Sequence, residues 1–203
     1  MPKSSNIFVT GTDTNVGKTV ATYAIGLMLQ AQGHDVGVMK PVQCAGHDAQ
    51  FLKARLNIDD PIDMINPFFL KEPLSPHLAF RRAKQKFDLK KVRQVYEILQ
   101  KRHDIVLIEG AGGLMAPITE NYFNADLAKD LKAPIIIVAR LGLGTINHTI
   151  LTINQARSKK LKILGVLLND LRGGKQTLVE QTNPREIERI TGIPVLGVIP
   201  YLS

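Results

Sequence analysis

The chain's densest chemistry lies between Ile7 and Thr19, in the stretch IFVTGTDTNVGKT. Gly11 and Gly17 permit backbone conformations in which successive N–H groups turn inward around an anion. Lys18 and Thr19 follow directly, and a run with helical spacing, Val20 to Gln32, comes after them. A helix N-terminus placed there adds about half a positive charge behind the N–H groups. In a phosphate-binding loop of this kind Lys18 reaches the β- and γ-phosphates of a nucleoside triphosphate, and the Thr19 hydroxyl ligates Mg²⁺. The generic spacing wants glycine where Thr12 stands, whereas the glycine is one residue earlier, at Gly11. The strict pattern fails but its context holds, because an ordinary strand-to-helix turn has no need of Gly-Lys-Thr.

Two further stretches add charged groups. Val36 to Met39 reads as a short strand that runs into Lys40-Pro41-Val42-Gln43-Cys44-Ala45-Gly46. A lysine at the carboxyl end of a strand in an α/β protein lies on the edge where ligands bind. Asp48, after His47, has two readings from spacing. It is either a first-turn acid of a helix running to about Leu56 or a carboxylate facing magnesium. Asp104-Ile105-Val106-Leu107-Ile108-Glu109 is an apolar strand delivering one acid to the same edge, as a Walker B strand does, with Glu for the commoner Asp. Gly110-Ala111-Gly112-Gly113 follows at once, three glycines in four residues, where a plain turn needs one.

The elements that must hold these groups are legible as alternating runs. Ile7 to Thr10, Pro134 to Ala139, Ile163 to Asp170 and Pro194 to Pro200 read as further strands built on continuous apolar runs, as strands buried on both faces are, the third ending in the polar Asn169-Asp170. Helices are expected from Asp88 to Arg102, from Asn124 or Asp126 to near Lys132, from the Leu141–His148 loop through Ala156, and from Thr182 to Thr191 with Gly192 as the stop. Pro61 to Pro76 reads as irregular. The alternation predicts an α/β protein with a doubly wound, mostly parallel sheet, helices on both faces, and one phosphate-loop domain over residues 1–203.

A single cysteine, Cys44, excludes an internal disulfide. The first residues, MPKSSNIFVTG, lack a signal-peptide core, and no apolar run approaches a membrane span, so a cytoplasmic protein without a membrane partner is expected. The net charge of +8 is densest at residues 81–86, 90–93 and 157–162. No Trp is present, and no aromatic stacking platform interleaves these runs, so they read as solvated faces rather than a nucleic-acid footprint.

Four motifs, VTGTDTNVGKT, MKPVQCAG, IEGAGGLMAPI and LGTINHT, supported by LLND and GVIPYL, resemble the dethiobiotin synthetase family over nearly the whole chain. The shifted glycine is that family's own form. The resemblance implies an ATP- and Mg²⁺-dependent enzyme of biotin biosynthesis. Carbon dioxide adds to one amine of 7,8-diaminononanoate, the ATP γ-phosphoryl passes to the carbamate, and the second amine attacks the mixed anhydride to close the ureido ring.

By the same resemblance, Lys18 and Lys40 hold the carbamate and the migrating phosphoryl, and Thr14 faces the reacting groups. Nucleotide contacts fall to Asp13, Thr14, Asn15, Val16, Gly17, Lys18, Thr19 and Val20, with Asn169 reading adenine beside Pro200 and Tyr201. Magnesium falls to Thr19, Asp48 and Glu109. The diamine falls to Lys40, Cys44, Gly112, Gly113, Gly144 and Asn147, with Asn147 supplied by the other subunit of a homodimer whose pairing is then obligatory. Cys44 and Asn15 stand where the family often has Ser or Thr and Glu, and the chain stops soon after IPYL, which implies a more open adenine pocket. Lys18→Ala or Lys40→Ala is expected to abolish turnover and leave the fold intact.

Two related classes fit less well. Partitioning and septum-placement ATPases, which act as nucleotide switches, carry a second lysine where this chain has Asp13. Amide ligases of the cobyrinate type carry a glutaminase domain, for which there is no room.

Overall fold

The computed structural model describes residues 5–201. Leu202, the last residue of the GVIPYL motif, lies outside them, as do residues 1–4 and 203. In chain order the elements are β1 (Ser5–Gly11), α1 (Lys18–Ala31), β2 (Val36–Met39), β3 (Val42–Cys44), α2 (Asp48–Arg55), α3 (Ile62–Ile65), β4 (Phe68–Leu70), α4 (Pro76–Arg82) and α5 (Leu89–Arg102). They continue with β5 (Ile105–Glu109), β6 (Pro117–Thr119), β7 (Tyr122–Phe123), α6 (Asn124–Asp130), β8 (Ile135–Arg140), α7 (Thr145–Ser158), β9 (Ile163–Asn169), α8 (Leu178–Thr191) and β10 (Val195–Ile199).

Six strands form one sheet in the order β10-β9-β8-β1-β5-β2, and every pairing in it is parallel. Alternate residues of the inner strands feed opposite faces, as a pleated strand requires. Phe8, Val106, Ile108, Ile135 and Ile137 pack with α5, α6, α7 and α8. Val9, Leu107, Ile136 and Val138 pack with α1 and α2. The doubly wound architecture read from the sequence is therefore the one observed.

The differences are local. Pro61 to Pro76 is not wholly irregular: it contains α3, β4 and the start of α4. β4 pairs in parallel with β3 as a separate two-stranded sheet, Val42 to Cys44 against Phe68 to Leu70. Four prolines in the segment mask such short elements, and its strand has only three residues to show a period. A small antiparallel pair, β6 with β7, was likewise too short to read. Helix α8 starts at Leu178, one turn before the expected Thr182, because Thr177 caps it and Pro184 is accommodated inside it.

Candidate active site

Parallel pairing puts the carboxyl ends of all six strands on one edge, so the residues at or after Gly11, Met39, Glu109, Arg140, Asn169 and Ile199 are gathered there. The chain leaves β1 toward β2 and leaves its neighbour β8 toward β9, on the opposite side. Adjacent strands whose connections diverge open a crevice at that edge.

The loop after β1 curls tightly. Asn15 and Gly17 both have left-handed backbones, with φ of 57° and 91°. A Cβ at Gly17 would lie 1.9 Å from Asn169 Nδ2, so packing and conformation both demand glycine. At Gly11 a Cβ would meet Val16 Cγ2 at 2.8 Å and the Asp13 carbonyl oxygen at 2.9 Å. The loop's close approach thus falls on residue 11, which is the physical reason a glycine stands there. Asp13 accepts the Thr14 N–H at 2.7 Å, and Lys18 Nζ donates to the Asp13 carbonyl at 2.9 Å.

Lys18 is only 7% exposed. Burial first, and the neighbouring Lys40 charge second, lower its pKa to about 8. Lys40 is 3% exposed and donates to Asp48 Oδ2 at 2.8 Å and to Glu109 Oε1. Burial works against its charge, but Glu109 and Asp48 outweigh that and raise its pKa. The Thr19 hydroxyl donates to the same Glu109 oxygen at 2.9 Å. Thr19, Asp48 and Glu109 therefore meet around one ammonium group, while Glu109 Oε2 is buried without a hydrogen bond.

These oxygens suit a hard cation. Two carboxylates and a hydroxyl are too few for an all-protein cage, and among the described residues no larger cluster of His, Cys, Asp or Glu gathers. A hard cation such as Mg²⁺, which keeps waters and takes phosphate oxygens as its other ligands, would fit this donor set.

A cavity of about 790 Å³ opens over this cluster. Of the residues named from the sequence, Thr14, Asn15, Gly17, Lys18, Thr19, Val20, Lys40, Cys44, Asp48, Glu109, Gly112 and Asn169 line it. Others do not. Val16 is buried beneath the loop, its carbonyl accepting Asn169 Nδ2 at 3.1 Å. Gly113 packs on the first turn of the loop, where a Cβ would be 3.3 Å from the Gly11 carbonyl oxygen. Asp13 serves the loop through the bonds just described. Gly144 caps α7 and Asn147 is exposed on that helix, both away from the cavity wall within one chain. Pro200 is exposed, and the half-exposed Tyr201 ring lies on Gly173, where a Cβ would be 2.7 Å from its Cδ1. Cys44 is half-buried, and burial pushes its thiol up to about 11 even with Lys40 nearby, so it is a neutral wall residue rather than a thiolate.

Sequence reasoning missed the far wall, Pro73 to Pro76, because that segment read as irregular. It also missed a set of buried carboxamides that pin the site's loops. Asn66 Nδ2 donates to the Lys40 carbonyl at 2.6 Å, and Asn183 Nδ2 to the Leu141 carbonyl at 2.7 Å. Gln43 bridges the Gly46 carbonyl, at 2.9 Å, and the Ala49 N–H, at 3.0 Å. Their partners are backbone groups, distant for Asn66 and Asn183 and nearby for Gln43, which leave no motif behind.

Comparison with known proteins places this geometry in a family. A family model described as an AAA domain matches residues 5–203. The ATP-dependent dethiobiotin synthetase of Thermodesulfovibrio yellowstonii is 38% identical, covering 97% of this chain and 88% of that protein. The Bacillus cereus enzyme of the same name is 41% identical over 98% of this chain and 84% of its own, and that of Methanocaldococcus jannaschii 38% over 95% and 92%. Among solved structures, the MinC:MinD cell division complex of Aquifex aeolicus matches with a TM-score of 0.62 at 19% identity, covering 97% of this chain and 81% of that one. A ParA family ATPase from Chlorobium tepidum matches at 0.59 and 14%, covering 98% and 85%. Likeness at such low identity speaks for the fold alone. The relatives that share sequence along nearly their whole length speak for more: the chain belongs to the ATP-dependent dethiobiotin synthetase family.

Proposed function

We propose that the protein is a dethiobiotin synthase, working as one ATP-binding domain and closing the ureido ring of dethiobiotin from 7,8-diaminononanoate and carbon dioxide at the expense of ATP. One observation supports the chemistry above all: Lys40 is fixed by Glu109 and Asp48 beside Lys18, at the mouth of the phosphate loop. Two ammonium groups so placed can hold an anionic carbamate and the phosphoryl group moving onto it. Phosphoryl transfer asks a protein chiefly for positioning and charge neutralisation.

In this reading the loop N–H groups from Asp13 to Val20 and Lys18 receive the triphosphate, and Asn169 faces the base. One of its two amide hydrogens is given to the Val16 carbonyl, which leaves the oxygen to accept from an amino group on the base and the second N–H to donate to a ring nitrogen. Mg²⁺, when bound, neutralises phosphate charge, and Thr19, Asp48 and Glu109 would hold it. Thr14 lies at the cavity wall near the reacting end. A carbamate oxygen attacks the γ-phosphorus and ADP leaves. The second amine then adds to the carbamate carbon, and phosphate departs as the ring closes.

Subunit pairing completes the reading. Leu143, Asn147 and Leu151 are exposed at four-residue intervals around the start of α7, and Leu143 and Leu151 are 84% and 60% exposed. An apolar stripe flanking a polar amide is suited to a twofold interface that lends Asn147 to the neighbouring site.

The test is phosphate release from MgATP with and without diaminononanoate and bicarbonate, with the organic product checked by mass. Diamine-dependent release with dethiobiotin formed in step is the expected result. Release indifferent to the diamine would sink the reading.

A further inference from the structure

Asn124 opens α6, yet its side chain is spent on the loop that precedes it. The residue is almost fully buried, and its Nδ2 donates to the Ala111 carbonyl at 2.6 Å and to the Gly113 carbonyl at 2.9 Å. Both amide hydrogens are thereby used on two carbonyls of one glycine loop. Backbone bonds from Asn124 N–H to the Ala116 carbonyl, at 3.2 Å, and from Ala125 N–H to the Leu114 carbonyl, at 3.0 Å, complete the tie between α6 and residues 111–116.

A trans peptide points its N–H opposite to its C=O. With the Ala111 carbonyl drawn toward Asn124, the Gly112 N–H must face the other way, and Ala111 and Gly112 both line the cavity. Gly112 has φ of 74°, so the loop is free to be set in this way only while glycine stands there. A lysine could tie the same carbonyls, but it would add a third positive charge beside Lys18 and Lys40. A carboxamide supplies two donors and no charge.

We propose that Asn124 is a positioning residue for the diamine: by fixing the Ala111–Gly113 backbone it sets the wall, and the peptide N–H, that the diamine meets. The proposal rests on the reading that this loop belongs to the diamine site. The Leu114 N–H bonds the Gly11 carbonyl at 3.0 Å without help from Asn124, so the phosphate loop keeps its own anchor when Asn124 is changed.

The experiment compares the full chain with its Asn124→Ala and Asn124→Ser variants, reading steady-state phosphate release, dethiobiotin formation and thermal melting. Loss of both amide hydrogen bonds should raise KM for the diamine about tenfold. KM for MgATP should stay within about twofold, since the bond that ties the glycine loop to the phosphate loop, Leu114 N–H to the Gly11 carbonyl, does not depend on Asn124. Asn124→Ser keeps one hydroxyl donor and should fall between the two; if Asn124→Ala does not fold, the serine variant carries the same expectation. An unchanged KM for the diamine, both KM values rising together, or failure of both variants to fold would overturn the proposal. A wild-type chain without diamine-dependent turnover would refute the functional reading and the inference with it. A normal wild type with no KM split refutes the inference alone.

Discussion

Lys40 and Glu109 are buried together, so removing the cation alone leaves a carboxylate in a site with little water to receive its charge. Breaking one partner out of a buried pair costs about 3–5 kcal/mol. Lys40→Ala should therefore lose stability as well as turnover, even where its fold stays intact. Lys18→Ala should keep its stability better, because Lys18 donates to a neutral carbonyl. The double variant Lys40→Met with Glu109→Gln, which removes both charges, should recover much of the lost stability and none of the activity. Urea midpoints and phosphate release separate the two effects, and an unchanged midpoint in Lys40→Ala would count against a buried pair. At this scale the charged groups were legible because each ends an apolar strand or follows a glycine turn. Gln43, Asn66, Asn124 and Asn183 were not. A neutral amide that ties loop backbone has no local signature, whether its partner is three residues away, as for Gln43, or 42 away, as for Asn183, and Asn124 showed only as a helix start.

Elements were legible where hydrophobic runs were long. The inner strands β5 and β8 are apolar up to the charged residue that ends each, Glu109 or Arg140, because both faces of the sheet are covered, and that is what the sequence shows. Between residues 61 and 76 the elements are held by their neighbours instead: β4 exists because β3 lies beside it. Helix α8 shows how a cap decides a boundary. The Glu180 carboxylate accepts the Thr177 backbone N–H at 2.8 Å and its hydroxyl at 2.9 Å, and it also pairs with Arg172. The Thr177 N–H first, then Arg172 and the Thr177 hydroxyl, hold its pKa down to about 2. An unfolded chain has this group at about 4.3. A depressed folded pKa contributes stability that is fully present above the unfolded value and is lost as pH falls through the folded one. Glu180→Gln keeps an oxygen for the cap and removes the charge. Its melting temperature should lie below wild type at pH 7, and the gap should narrow progressively from about pH 4.3 toward about pH 2. A gap constant with pH would mean that packing, not charge, carries the effect.

At the scale of the whole molecule, two of the residues that fail to reach the cavity share a location. Gly144 and Asn147 sit at the start of α7, flanked by the exposed Leu143 and Leu151, on a surface that a second copy would cover. The sequence named Asn147 through resemblance to a family, and within one chain Asn147 does not line the cavity that holds Lys18. A shared site makes a sharp prediction through mixed subunits. Lys18→Ala and Asn147→Ala chains, each carrying a different tag, are refolded together and the mixed dimer isolated. One of its two sites then combines an intact Lys18 from one subunit with an intact Asn147 from the other. Activity should return to about half that of wild type per dimer, although each parent alone is impaired. If Asn147 instead served its own subunit's site, neither site of the mixed dimer would be whole and no activity would return. Leu151→Asp should give monomers by sedimentation and lose diamine turnover, because a charge placed in an apolar interface cannot be left unpaired there.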